Sequence, residues 1–150
     1  MKRLNQDIKE RRFCPVYCLY GEEAFLKRNY KNLLKEALLG DDTMNFQSLY
    51  GKETNLTEII SLADTMPFFA EKRLILVENS GLFKKDPEPL ASYLPTMPES
   101  TVLLFVEEQV DKRNKLYKKV KDLGYVAELS RQPESQLKTW IFQILKRENR

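Results

Sequence analysis

The stretch "VYCLYGEEAFLKRNYKNLLKEALLG", residues 16–40, decides the fold class. Its first part, residues 16–20, is a nearly continuous apolar run, which is typical of a strand buried on both faces. After Gly21 the apolar side chains recur at helical spacing, and Gly40 can end the helix. The predicted apolar stripe of this helix consists of Phe25, Leu26, Leu33, Leu34, Ala37 and Leu38. A buried strand followed by an amphipathic helix predicts the first half of a βαβ unit.

Strand and helix patterns alternate along the rest of the chain. The other predicted strands are "MNFQSLYG", which is more exposed than the first, "KRLILVEN", "STVLLFVEE" and "YVAELS". The other predicted helices are a short one up to Arg12, "LTEIISLADTM", "DPEPLASYLPTMP", "KRNKLYKKVKDLG" and "PESQLKTWIFQILKREN". Asn55 or Thr54 can cap the helix in "LTEIISLADTM", which must stop near Pro67. The order predicts one α/β domain with a five-stranded, mostly parallel sheet and helices on both faces.

The composition is that of a folded domain, and it excludes one kind of chemistry. With 150 residues and 42% apolar content, the chain can bury the core of a single domain. No apolar run is long enough to span a bilayer, so we expect a cytoplasmic protein with no membrane partner. Cys14 and Cys18 would lie about 13 Å apart along a strand, too far for a disulfide. Because the chain has no histidine, catalysis that relies on histidine is excluded, and we expect neither a metal nor a cofactor.

The turn after the first strand is where phosphates bind in many folds of this class. Gly21 and Lys27 match the first glycine and the lysine of the phosphate-binding pattern G-x-x-x-x-G-K-[ST]. Leu26 replaces the second glycine, Arg28 replaces the Ser or Thr that would hold magnesium, and residues 22–23 are two glutamates. These acids would repel a triphosphate. We therefore interpret the turn as a degenerate phosphate loop, with a divergent P-loop ATPase as the alternative.

Charged residues near the fourth strand offer two further candidate sites. Glu107 and Glu108 end that strand and could imitate a metal-binding acidic pair, but a solvated loop start is the favoured interpretation. The basic run that follows could contact a nucleic-acid backbone. Its candidate residues are Lys112, Arg113, Lys115, Lys118 and Lys119. A lysine-rich outer face is also typical of any surface helix, and Tyr117 is the only aromatic residue among these charges. A free-standing DNA-binding domain thus stays an open alternative.

Two adjacent phenylalanines, Phe68 and Phe69, follow the proline that ends a predicted helix. Residues 67–71 must connect this helix to the strand "KRLILVEN", and connections of this kind run over the surface. One phenylalanine could fold back onto the core, but two adjacent side chains seldom both point inward from a tight turn. We expect at least one of them to be exposed, as an anchor for a partner protein.

The order of four motifs resembles one known family. These motifs are "PVYCLYGEEAFL", "DTMPFFAEKRLILVEN", "STVLLFVEEQVDKRNKLYKKVK" and "LKTWI", and together they cover the whole chain. They are similar to the N-terminal domain of the delta subunit of the bacterial DNA polymerase III clamp loader. The resemblance implies a P-loop NTPase-like domain of AAA+ type, at residues 1–140, that has lost ATPase activity. It also implies that residues 141–150 begin a truncated lid domain.

The resemblance further implies a function in DNA replication. In this family, a helix and loop tip with two large hydrophobic residues inserts into a pocket on the ring-shaped beta sliding clamp and helps to open it. The matching residues here are Thr65, Met66, Pro67, Phe68 and Phe69. The implied partners are the beta sliding clamp and the other clamp loader subunits, gamma or tau and delta prime. DNA would be contacted through the assembled complex, and the chain would not be an enzyme by itself.

Overall fold

The computed structural model describes residues 2–10, 12–51, 54–84 and 88–129. The helix predicted in "PESQLKTWIFQILKREN" and the domain boundary predicted at residue 140 lie outside the described residues.

Helices and strands alternate as the sequence predicts. In chain order they are α1 (Lys2–Glu10), β1 (Val16–Tyr20), α2 (Ala24–Leu39), β2 (Phe46–Tyr50), α3 (Leu56–Ala63), β3 (Arg73–Glu78), α4 (Glu88–Tyr93), β4 (Thr101–Glu107), α5 (Lys115–Leu123) and β5 (Tyr125–Glu128). Short 3-10 turns occur at Leu82–Lys84 and Leu94–Thr96.

The five strands form one sheet in the order β2-β3-β4-β1-β5, and every pairing between them is parallel. β1, β3 and β4 lie in the interior of the sheet, and their residues are almost all buried, as expected for strands covered on both faces. β2 lies at one edge and is largely exposed, which confirms the sequence prediction. The predicted α/β fold with a five-stranded parallel sheet is therefore confirmed.

Two apolar cores cover the two faces of the sheet. On one face, Ile59 of α3, Leu90 of α4, and Leu116 of α5 pack against alternate residues of β1, β3 and β4. On the other face, Leu26 and Leu34 of α2 pack against the intervening residues of the same strands. Alternation of side chains along a strand produces this division. The prediction of helices on both faces is thus correct.

Local details agree with the sequence predictions at some positions and differ at others. Asn55 caps α3, since its side chain accepts a hydrogen bond from the backbone N–H of Thr57. The helix ends at Ala63, earlier than the stop predicted near Pro67. Phe25 was assigned to the buried stripe of α2 but is exposed. The buried face of α2 is formed by Leu26, Lys27, Tyr30 and Leu34, and Phe25 lies off that face, so apolar spacing alone placed it wrongly.

The parallel sheet separates the two candidate sites. The turn between β1 and α2 and the end of β4 lie at the carboxyl end of the strands. The connection between α3 and β3 lies at the opposite, amino end, because a crossover helix returns the chain to the start of the next parallel strand. The candidate phosphate turn and the two phenylalanines are therefore at opposite ends of the sheet.

Candidate functional site

Residues 65–69, called the tip from here on, present apolar side chains to solvent at the amino end of the sheet. The exposed fractions are 64% for Met66, 52% for Phe68 and 94% for Phe69. The rings of Phe68 and Phe69 contact each other edge to face, with centroids 4.4 Å apart and an interplanar angle of 71°. The prediction that at least one phenylalanine is exposed is confirmed for both. Exposed aromatic side chains of this kind are candidates for anchors in a protein interface.

Several hydrogen bonds hold the base of the tip on the sheet. The hydroxyl of Thr101, the first residue of β4, donates to the carbonyl of Ala63 at the end of α3, over 2.7 Å. The Arg73 guanidinium donates to the carbonyl of Leu62. The Thr65 hydroxyl donates to the carbonyl of Ser61. The end of α3 is thereby joined to β3 and β4, so the tip is a loop on a hydrogen-bonded base.

The backbone at Phe69 is in an unusual conformation, with φ of +54°. In the left-handed region a residue with a large side chain is strained by about 1 to 3 kcal/mol. Such strain persists only where surrounding contacts impose it, and it is concentrated at binding and catalytic sites. Here the strained residue is also the most exposed aromatic residue in the described part of the chain.

One residue that sequence reasoning missed holds the tip directly. Asn45, just before β2, is 1% exposed and its side-chain amide contacts both backbone polar groups of Phe68. The only hint in the sequence was a polar residue within the apolar alternation of "MNFQSLYG". That pattern cannot show a contact between residues 23 positions apart.

At the carboxyl end of the sheet, backbone N–H groups of the turn after β1 donate hydrogen bonds to carbonyl groups of the same chain. The N–H of Gly21 donates to the carbonyl of Glu108, over 3.2 Å, and the N–H of Glu23 donates to the carbonyl of Leu129, over 3.0 Å. A Cβ atom on Gly21 would lie 2.3 Å from the Leu129 carbonyl oxygen. In a working phosphate loop such N–H groups point at the phosphates. Here two of them already have protein acceptors.

The side chain of Lys27 is also directed into the protein. It is buried, and its Nζ atom donates to the backbone carbonyl of Glu107 over 3.4 Å. Gly21 and Lys27, the two residues that match the phosphate-binding pattern, therefore lie at the same end of the sheet. Both donate hydrogen bonds to backbone carbonyls of the protein.

The interpretation of Glu107 as a solvated loop residue was wrong. Its carboxylate is 1% exposed and accepts hydrogen bonds from the N–H of Ser80, the Ser80 hydroxyl and the N–H of Gly81, at 2.8 to 3.2 Å. Burial raises the pKa of Glu107 above its ordinary value, against the effect of these donors and of Lys27. β4 lies in the middle of the sheet, so the strand end is covered by the loop after β3. Glu108, the next residue, is exposed as predicted.

A cavity of about 300 Å³ adjoins this carboxylate. Its lining residues are Asn79, Gly81, Lys84, Glu107, Glu108 and Gln109.

Within the described ranges, no group of three or more Cys, Asp or Glu side chains is arranged to hold a metal ion. Cys14 and Cys18 are buried thiols rather than a disulfide. No helix in the described part of the chain is long and apolar enough to cross a membrane.

The predicted DNA-facing residues lie in and just before α5. Lys112, Lys118 and Lys119 are exposed. Arg113 forms an ion pair with Asp111, and Lys115 forms one with Glu88 of α4 over 2.7 Å. Each pair lowers the pKa of its carboxylate.

Tyr117, the aromatic residue of this helix, is buried in an edge-to-face contact with Tyr20. It therefore presents no stacking surface for a base. The structure brings Lys115, Lys118 and Lys119 together around one pocket that Glu88 and Asp122 also line, and two of the five positive charges are paired with neighbouring acids.

Comparisons with known proteins agree with this architecture. A family model described as DNA polymerase III, delta subunit, matches residues 17–130. The DNA polymerase III subunit delta of Bacillus subtilis (strain 168) is 32% identical in an alignment of 136 residues, and the match covers 82% of this chain and 39% of that protein. The solved structure of the Bacillus subtilis DNA clamp loader delta protein (YqeN) aligns with a TM-score of 0.81 and 26% identity, covering 98% of this chain and 47% of that one.

More distant structures share the fold alone. A DNA polymerase III gamma subunit-related protein of Thermotoga maritima aligns with a TM-score of 0.54 at 12% identity, covering 88% of this chain and 47% of that one. The cytoplasmic domain of the Type VII secretion ATPase EccC of Thermomonospora curvata aligns with a TM-score of 0.52 at 12% identity, covering 79% of this chain and 20% of that one. The expected α/β fold is therefore shared with these proteins, one of which is an ATPase domain.

The chain spans 39% of the curated Bacillus subtilis protein and 47% of the solved Bacillus subtilis chain, less than half of each. The family model nevertheless matches most of the chain, from the first buried strand to the end of the sheet. By sequence and by fold, the chain belongs to the DNA polymerase III delta subunit family.

Proposed function

We propose that this chain is the part of a clamp loader delta subunit that binds the beta sliding clamp. The tip inserts its two phenylalanines into the clamp and helps to open the ring for loading onto primed DNA. The chain does so without hydrolysing ATP itself. The observation that carries this proposal is the exposed pair Phe68 and Phe69, held on a base that is hydrogen-bonded to the sheet.

The exposed pair supports binding because most of its surface has nothing to cover it in the isolated domain. Single exposed apolar side chains are common, but two large ones in contact form a patch of the kind that marks an interaction site. The hydrogen-bonded base adds to this, since a loop that is already ordered loses little conformational entropy when it binds. The residues proposed to contact the clamp are Thr65, Met66, Pro67, Phe68 and Phe69.

Ring opening requires more than affinity. A ligand shifts a conformational equilibrium only by the difference between its affinities for the two states. The tip would favour the open ring if it fits the clamp better when one ring interface is separated. The energy for this shift would come from burial of the two rings and not from nucleotide hydrolysis.

The turn after β1 supports the non-catalytic part of the proposal. Two backbone N–H groups of the turn have protein acceptors, and Lys27 donates to the β4 carbonyl. A divergent P-loop ATPase would have to break these contacts to bind a triphosphate. Equilibrium dialysis that detects no bound ATP at millimolar nucleotide would exclude this alternative.

The family membership supports the wider assembly. We propose the gamma or tau subunits and delta prime as partners, DNA contact through the assembled complex, and a cytoplasmic location. We also propose that residues 1–140 form the AAA+-like domain and that residues 141–150 begin a lid domain. The direct test of the central proposal is capture of a bacterial sliding clamp by the 150-residue chain, compared with its Phe68→Ala, Phe69→Ala double variant.

A further inference from the structure

Asn45 joins the edge of the sheet to the tip. Its backbone carbonyl accepts a hydrogen bond from the N–H of Leu74, over 2.9 Å, one position before the β2–β3 ladder begins at Phe46 and Leu74. This bond places the residue as a direct extension of the sheet. Its side chain is buried against the connection that leads from α3 to β3.

The side-chain amide pairs with both backbone polar groups of one residue of the tip. The N–H of Phe68 donates to Asn45 Oδ1 over 2.6 Å, and Asn45 Nδ2 donates to the carbonyl of Phe68 over 2.9 Å. The amide thus takes the place of a neighbouring strand for this residue. Two bonds to the same residue fix the peptide groups on both sides of Phe68, and with them the starting direction of Phe69.

A carboxylate determines which way the amide faces. Asp42 Oδ2 accepts a hydrogen bond from Asn45 Nδ2 over 2.7 Å. An ionised carboxylate can only accept, so the NH₂ group must face it and the amide oxygen must face the N–H of Phe68. The same hydrogen bond lowers the pKa of Asp42 below its ordinary value of 3.8, and the group is an ionised carboxylate at neutral pH. The arrangement therefore has one favourable orientation.

The two hydrogen bonds between Asn45 and Phe68 also constrain the next residue, Phe69. Phe69 is 94% exposed, has a positive φ and contacts the protein through its ring at Phe68, so its conformation depends on how Phe68 is held. The nearest constraint along the chain is the pair of bonds at Phe68. On the basis of the proposed clamp-binding function, we infer that Asn45 is a positioning residue, oriented by Asp42, that holds the tip in the conformation that presents Phe68 and Phe69 to the clamp.

The first variant removes both bonds. In the 150-residue chain, Asn45→Ala should increase the hydrogen-exchange rate of the Phe68 amide at least about tenfold, because that N–H loses its acceptor. By calorimetry, it should weaken binding to a bacterial sliding clamp by about 5-fold to 30-fold, as the tip must then be ordered on binding. Asp42→Ala, which leaves Asn45 in place but unoriented, should give a smaller loss in both measurements.

The matched control is Asn55→Ala. It also removes a buttressing asparagine, but Asn55 caps α3 through the N–H of Thr57 and does not contact the tip. It should lower the free energy of unfolding without changing Phe68 exchange or the affinity for the clamp. A general loss of stability would instead affect both asparagine variants alike.

A coupling experiment separates positioning from a structural role. If Asn45 acts through the presented rings, Asn45→Ala should cost much less affinity when Phe69 is already alanine. An equal loss in both backgrounds, or a folded Asn45→Ala chain that binds like the wild type, would overturn this inference alone. If Asn45→Ala does not fold, unchanged affinity and Phe68 exchange in Asp42→Ala would overturn it. A wild-type chain that does not bind the clamp would overturn the proposed function as well.

Discussion

Removal of the two exposed rings should weaken clamp binding by an amount that the structure sets. Phe69 is 94% exposed and Phe68 is 52% exposed, so almost all of one ring and half of the other can still be buried in a partner. Complete burial of a phenylalanine is worth about 1.5 to 3 kcal/mol, and the pair, scaled by these fractions, offers about 2 to 4 kcal/mol. Phe68→Ala with Phe69→Ala should therefore raise the Kd about 30-fold to 900-fold.

Isothermal titration calorimetry of the 150-residue chain with a bacterial sliding clamp measures this change. The free energy of unfolding should stay the same, because the removed ring atoms are mostly outside the core. Phe25→Ala is the matched control, since Phe25 is also an exposed phenylalanine, at 42%, but follows β1 at the opposite end of the sheet. Unchanged affinity in the double variant, or an equal loss in Phe25→Ala, would refute the reasoning.

Three further predictions concern the other end of the sheet and the basic helix. Gly21→Ala should lower the free energy of unfolding, measured by urea titration, by about 1 to 3 kcal/mol or more, because its Cβ would lie 2.3 Å from a backbone oxygen. Gly40→Ala has open space around its Cβ and should lower the free energy of unfolding less. The pKa of Glu107 is raised above its ordinary value of 4.5, so the folded state holds this proton to higher pH than the unfolded chain does. The stability of the wild type relative to Glu107→Gln should therefore fall as pH rises from 4.5 through the raised pKa, and a difference that grows with pH would contradict this. Lys118→Glu with Lys119→Glu should leave clamp affinity unchanged. DNA affinity that changes neither with salt nor in this double variant would exclude direct DNA contact through α5.

The fold was predictable from the sequence because its elements carry local signals. Continuous apolar runs marked β1, β3 and β4, and helical spacing marked α2, α3 and α5. The failure at Phe25 shows the limit of this method, since the buried face of α2 includes Lys27, which apolar spacing does not register. The exposure of the tip was also predictable, because Pro67 predicted an end to the helix before it and two adjacent rings seldom both turn inward from a tight turn.

The surroundings of Glu107 and Asn45 were not predictable in the same way. Glu107 carried the pattern of a solvated acid, but its strand lies in the middle of the sheet and the loop after β3 donates three hydrogen bonds to it. Asn45 carried no functional pattern at all. Both assignments depend on which loops become neighbours.

The sequence by itself determined the α/β class, the broken phosphate loop and the exposed pair Phe68 and Phe69. These features depend on residue type and on spacing between near neighbours, and the chain displays both directly. Only the tertiary structure decided that the tip and the phosphate turn lie at opposite ends of the sheet, and that Asn45 holds the tip. The strand order brings residues 45 and 68 together, and strand order follows from packing of the whole domain, which local periodicity does not encode.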